Sequence, residues 1–274
     1  MKKFLQLLII AITISACKND PKSPISPSEK NDSTTIMDTD KKEIITTSIY
    51  PESISKVFEA HGGIDQWHKM NSLSFTMEKP NGKEVTTTNL KTRAELINTP
   101  TYTQGFDGKT LWVKEKDNID YQGKPKFYKG LMMYFYAMPF IVGDDGINYK
   151  ETEPLVFEDK TYPGILISFE AGIGESPNDT YVIYYDSETR RMEWLAYTVT
   201  YGKEQESQDY RFIRYNNWQT VNGLLIPKSI DWYEHDNKIP TEKRNTVEFT
   251  DVILSETILE QSQFLRPEDA KEID

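Results

Sequence analysis

A single cysteine, Cys17, leaves this 274-residue chain unable to form an internal disulfide. A small disulfide-stapled fold is thereby excluded, and stability must come from a packed core. Histidine is scarce too, limited to His61, His68 and His235. His61 and His68 are separated by the helix breaker Gly62-Gly63, and no HExxH or other close ligand spacing occurs. His235 lies between Glu234 and Asp236 in a stretch that reads as a solvated turn. No metal centre and no cofactor are expected. Cations are in the minority, with 32 Lys and Arg against 43 Asp and Glu and a net charge of −11. Nucleic acid needs clustered cations and is excluded as a partner. There is no GxSxG elbow, since Ser176 has the wrong residues around it, and no glycine-rich phosphate loop precedes a helix.

What is present begins at the N-terminus. Lys2-Lys3 is followed by the apolar run Phe4 to Ile12 and then by Ile14-Ser15-Ala16-Cys17. Charge, apolar core and small residues in that order are the pattern of a secretory signal. The run is far short of the roughly 20 residues of a spanning helix. Ile14-Ser15-Ala16-Cys17 resembles a bacterial lipobox, which implies removal of residues 1–16 and attachment of palmitate-type acyl chains to Cys17. Losing Lys2 and Lys3 makes the mature chain two units more negative. The lipid, not a basic surface, must then hold the membrane. Residues 17–46 are rich in Lys, Asp, Asn, Ser, Thr and Pro, a composition that reads as a disordered tether.

From residue 47 to 274 the chain reads as one domain, mainly β with some α. Residues 51–61 read as a helix with Ile54, Val57 and Phe58 on one face, and a second helical turn carries Ile64, Trp67 and His68. Leu73-Ser74-Phe75-Thr76-Met77 alternates as a strand, and Pro80-Asn81-Gly82 turns it into Glu84-Val85-Thr86-Thr87-Thr88. Further strands are expected at 110–113, 164–169, 180–185, 191–201, 209–215, 224–233 and 245–254. Strand 191–201 is apolar on both faces, with Leu195 and Tyr197 on one and Trp194 and Ala196 on the other. Such a sheet must be covered or curved around something. Phe127 to Val142 is an apolar, aromatic, methionine-rich interruption with no strand alternation, and Pro139 stops a helix near Ala137. It should be buried or lie over an apolar opening.

His61-Gly62-Gly63-Ile64-Asp65-Gln66-Trp67, Phe106-Asp107-Gly108-Lys109-Thr110-Leu111-Trp112 and the segment Trp218 to Pro227 together resemble Bacteroidota envelope lipoproteins. That group is distantly similar to the carriers LolA and LolB and to RseB-like domains. The resemblance implies a strongly curved antiparallel sheet, or half-barrel, with short N-terminal helices and an apolar helical cap. It also implies a place in the cell envelope at the outer membrane. The leading reading is a non-enzymatic lipoprotein that binds a hydrophobic molecule or a lipoprotein's acyl chains. Trp112, Met132, Met133, Phe135, Phe140 and Trp194 are the expected lining, supplying contact area and adaptability. An envelope sensing or scaffolding protein and a carboxylate-based hydrolase stay open beside it. Labelling cells with an alkyne-bearing palmitate analogue should tag the protein. Cys17→Ser should abolish the label and move the protein out of the membrane fraction; retained label would refute the lipobox.

Overall fold

The computed structural model describes residues 49–117, 119–170, 178–202 and 207–273. The expected signal 1–16, Cys17 and the tether to 46 lie outside the described residues, as does Ser176. Among the described residues no helix is long and apolar enough to cross a membrane.

Two short helices lead the domain. Helix α1 (Glu52–Ala60) follows Pro51 and buries Ile54, Val57 and Phe58; α2 (Ile64–Lys69) buries Trp67. Gly62 and Gly63 part them at φ +104° and +93°, which side-chain-bearing residues rarely adopt. Then come β1 (Ser72–Lys79), β2 (Gly82–Asn89), β3 (Glu95–Asn98), β4 (Tyr102–Phe106) and β5 (Leu111–Glu115). Helices α3 (Pro125–Tyr128) and α4 (Leu131–Tyr136) and a 3-10 turn (Phe140–Gly143) interrupt the strands. Strands resume as β6 (Ile147–Phe157), β7 (Lys160–Phe169), β8 (Tyr181–Tyr185), β9 (Met192–Tyr197), β10 (Arg211–Val221) and β11 (Leu224–Asp236). The chain closes with β12 (Ile239–Glu248), β13 (Thr250–Ser255) and the short β14 (Lys271–Glu272).

The strands form two seven-stranded antiparallel sheets, ordered β13-β1-β2-β3-β4-β5-β14 and β12-β11-β10-β9-β8-β7-β6. The mainly β, curved architecture is as expected, but it is divided between two sheets. The division falls where one strand was read across 245–254. Phe249 alone separates β12 from β13 and is buried against Phe75 and Tyr136. One residue thus carries the chain from the edge of the second sheet to the edge of the first. The stretch around 143–162 supplies β6 and the start of β7.

Register fixes which residues line the interior. Leu73 pairs with Thr88, Phe75 with Thr86 and Met77 with Glu84, so these share one face of the first sheet. Leu195 and Tyr197 join the main core, whereas Trp194 and Ala196 join a second cluster with Leu155, Phe157, Tyr162, Val182 and Phe212. Both faces of β9 are therefore covered, as its two-sided apolar pattern required.

The motif segments dock on one another. Leu225 N–H donates to the His61 carbonyl, 2.8 Å, and Gln66 Nε2 donates to the Asn222 carbonyl, 3.1 Å. A Cβ on Gly62 would sit 2.3 Å from the Gly223 carbonyl oxygen, whereas one on Gly63 would meet nothing within 4 Å. Gly62→Ala should then cost about 3 kcal/mol, combining strain and overlap, and Gly63→Ala only about 1–2 kcal/mol of backbone strain. Urea melts compare them; equal costs would show that close approach is not what selects Gly62.

Candidate functional site

The curved sheets leave a groove, and residues 125–143 fill it. Gly130, in the left-handed region, separates α3 from α4. Helix α4 has no polar face, so Met132, Met133, Phe135 and Tyr136 are all buried. Tyr136 stacks on Phe75 of β1 at 4.6 Å, and Phe135 packs against Tyr197 of β9 at 5.0 Å and Trp232 of β11 at 6.0 Å. Phe140 stacks on Trp67 of α2 at 5.2 Å. The cap therefore touches both sheets and the N-terminal helices, as its composition required.

Scaffold hydroxyls satisfy the cap's backbone. Tyr215 Oη donates to the Phe135 carbonyl (2.8 Å), Tyr149 Oη to Val142 (2.5 Å) and Tyr50 Oη to Gly143 (2.7 Å). Burial pushes the Tyr215 hydroxyl well up, keeping it a proton donor at any physiological pH. At the far end Arg93 is paired with Asp144, just past the 3-10 turn. Beside that pair opens a pocket of about 370 Å³, lined by Trp67, His68, Met70, Leu90, Lys91, Arg93, Asp144 and Asp145.

At the near end the cap rests on two buried carboxylates. Tyr128 Oη donates to Glu84 Oε1 at 2.6 Å, and Gly130 N–H donates to Glu95 Oε1 at 2.9 Å. Lys79 Nζ stands 3.9 Å from Glu84. Burial raises Glu95 to about 7; the Gly130 N–H opposes this, Glu84's charge adds to it and Lys129 opposes it. Sequence reading passed over both acids. In Glu84-Val85-Thr86-Thr87-Thr88 the alternation did put Glu84, Thr86 and Thr88 on one face. Polar residues on one face of a strand ordinarily mean solvent, and nothing local says that a helix covers them. For the hydrolase reading, these are two acids near one another, but they lie beneath the cap and hold it.

Of the six expected lining residues, the structure gathers Met132, Met133, Phe135 and Phe140 in the groove and places two elsewhere. Trp112 lies on the outer face of the first sheet, filling the space over Gly105 and donating from Nε1 to the Phe264 carbonyl at 3.0 Å. Leu111-Trp112-Val113 is apolar throughout, so alternation could not tell its faces apart. Trp194 sits in the second cluster, 4.8 Å from both Phe157 and Tyr233 and 5.2 Å from the Arg214 guanidinium. His61 is fully buried, with Nδ1 2.8 Å from the Val57 carbonyl and its ring 4.6 Å from Trp218. Burial lowers it to about 4, so it is neutral in the fold. Among the described residues no cluster of His, Cys, Asp and Glu could hold a metal.

No family model and no curated protein matches the sequence. Among solved structures the chain is similar to a LolA-superfamily protein from Nitrosomonas europaea. That likeness has a TM-score of 0.42 and 11% identity, covering 71% of this chain and 88% of that one. It is also similar to a putative outer membrane lipoprotein-sorting protein domain from Vibrio parahaemolyticus. There the TM-score is 0.33 and the identity 8%, covering 75% of this chain and 96% of that one. At these values neither passes a ligand or an activity to this chain.

His61 and Glu95 give stability opposite slopes with pH. Unfolded, His61 takes a proton below about 6.5 but folded only near 4, so its contribution is full above 6.5 and falls with pH. Unfolded, Glu95 loses its proton near 4.5 but folded only near 7, so its contribution is full below 4.5 and is lost as pH rises to 7. Removing the carboxyl charge removes that loss. Relative to wild type, Glu95→Gln should therefore gain about 3 kcal/mol of stability between pH 4.5 and pH 7.5. Denaturant melts across that range check it; a constant difference would refute the burial of an ionisable Glu95.

Proposed function

We propose that this protein is a lipid-anchored envelope protein, held at the outer membrane, that binds a hydrophobic ligand in the groove its own cap now fills. The observation that carries the reading is the cap itself. Met132, Met133, Phe135 and Phe140 bury their side chains in a groove lined by Phe75, Tyr197 and Trp232, as an apolar guest would. The helices are only four and six residues long, too short to be stable without their packing. Gly130, between the two helices, and the 3-10 turn after Pro139 divide the cap into short pieces. Methionine side chains suit such a segment because they repack on guests of varied shape. Trp112 and Trp194, which face away from the groove, drop out of the proposed lining.

The fullness of the groove favours a second reading, an envelope sensing or scaffolding protein in which the cap is permanent core. The two differ in what happens when the cap is weakened. A ligand that must displace the cap has its affinity reduced by the fraction of molecules already open. Phe135→Ala removes contacts to Tyr197 and Trp232 and should cost about 3 kcal/mol of stability. Under the binding reading it raises the apparent affinity for a dodecyl-chain fluorophore on the order of tenfold, because part of that cost falls on the closed state. Organic extraction of wild-type protein purified from its native membrane should also release lipid. Protein that is free of lipid and ignores the probe in both forms would overturn ligand binding and leave the scaffolding reading.

A further inference from the structure

The groove floor is apolar along β1 and mixed beyond it, where buried Ile97 lies among polar side chains. Along β1 it presents Leu73, Phe75 and Met77; beside them β2 presents Glu84, Thr86 and Thr88, and β3 and β4 continue with Glu95 and Gln104. Thr88 lies directly opposite Glu95 in register, so the hydroxyls and the carboxylates share one face. Glu84 and Glu95 are 4% and 3% exposed, Thr86 and Thr88 1% and 0%. Thr86 Oγ1 and Thr88 Oγ1 have no hydrogen-bond partner among the described residues. A buried hydroxyl left unpaired is costly, and two side by side beneath a displaceable segment mark capacity kept for something else.

The donors that now serve the two acids identify what that is. Glu84 receives the Tyr128 hydroxyl, with the Lys79 ammonium 3.9 Å away, and Glu95 receives the Gly130 N–H with the Lys129 charge nearby. Tyr128, Lys129 and Gly130 all belong to the cap. When the cap leaves, these carboxylates lose the Tyr128 and Gly130 donors. A plain acyl chain entering in its place would leave them without those donors. A fatty acid would set a further carboxylate beside them.

Resting on the ligand-binding reading above, we propose that the groove takes a cationic amphiphile. Its alkyl chain lies where α4 packs on β1, and its amine-bearing head meets Glu84 or Glu95 and a neighbouring threonine hydroxyl, in place of Tyr128 or Gly130. An ammonium offers three donors and a charge, enough to serve both a carboxylate and a threonine hydroxyl. The same polar floor tells against carboxylate-headed lipids, so head-group selectivity is built by repulsion as well as attraction.

Displacement of a dodecyl-chain fluorophore by dodecylamine, dodecanol and dodecanoate at pH 7.5 tests this. Dodecylamine should compete at least tenfold better than dodecanoate, with dodecanol between them. The Glu84→Gln, Glu95→Gln double variant should collapse that ratio towards one. Tyr128→Phe, which removes one cap donor and leaves both acids, should strengthen dodecylamine several-fold and dodecanoate less. It serves as a second arm should the double variant fail to fold. Amine binding should also move the Gly130 amide resonance as it leaves Glu95. Equal competition by all three heads would overturn the proposal while leaving hydrophobic binding intact. An amine preference that persists in the double variant would also overturn it, as the work of overall negative charge. Failure of every head group to compete would overturn both this and the binding reading.

Discussion

A curved antiparallel sheet buries its concave face only if something fills the concavity, and in this chain the filler is a single methionine-rich and aromatic segment. Most of the interior refers to residues 125–143. Phe75 from the first sheet, Phe249 at the corner between the sheets, Tyr197 and Trp232 from the second, and Trp67 from the helices all end on it. A permanent core would ordinarily be built from the sheets' own side chains meeting face to face. Here the contact is made through two helical turns whose own length cannot sustain them. Under the proposed function, the domain's stability and its capacity to bind draw on the same contacts.

The polar part of the interior works against the apolar part. Tyrosine hydroxyls satisfy the cap's carbonyls at one end and two carboxylates receive its donors at the other, so the cap is hydrogen-bonded as well as packed. Buried ionisable groups add little net stability, and Glu95 held up near neutrality costs some above that pH. Under the proposed function such groups act as selectivity rather than glue, making the groove poor for a featureless chain and good for one that brings donors.

How much of this was legible in the sequence depends on how local each determinant is. Helix α1, the β1–β2 hairpin and most later strands follow from periodicity and turn residues, and the two-sided pattern at Trp194–Tyr197 announced a covered sheet. The non-alternating run at 127–142 announced the cap. Phe249 did not announce the break between sheets, because an apolar residue inside a strand-like run carries no sign of a corner. Glu84 and Glu95 were hidden for the converse reason: Glu84-Val85-Thr86-Thr87-Thr88 reads as a solvated face until a helix distant in sequence is laid over it. Trp112 was misassigned because its neighbours are apolar on both sides and the chain end that covers it, with Phe264, lies 152 residues away.

Whether the cap is a door or a wall is best decided by amide hydrogen exchange in residues 131–143, compared with β1 and β9 in the same sample. A displaceable cap predicts that Tyr134, Ala137 and Ile141 exchange through an opening well below the free energy of global unfolding, and that saturating dodecylamine alters their protection. Exchange of those amides at the global unfolding free energy, unchanged by amphiphile, would contradict the account and make the cap ordinary core.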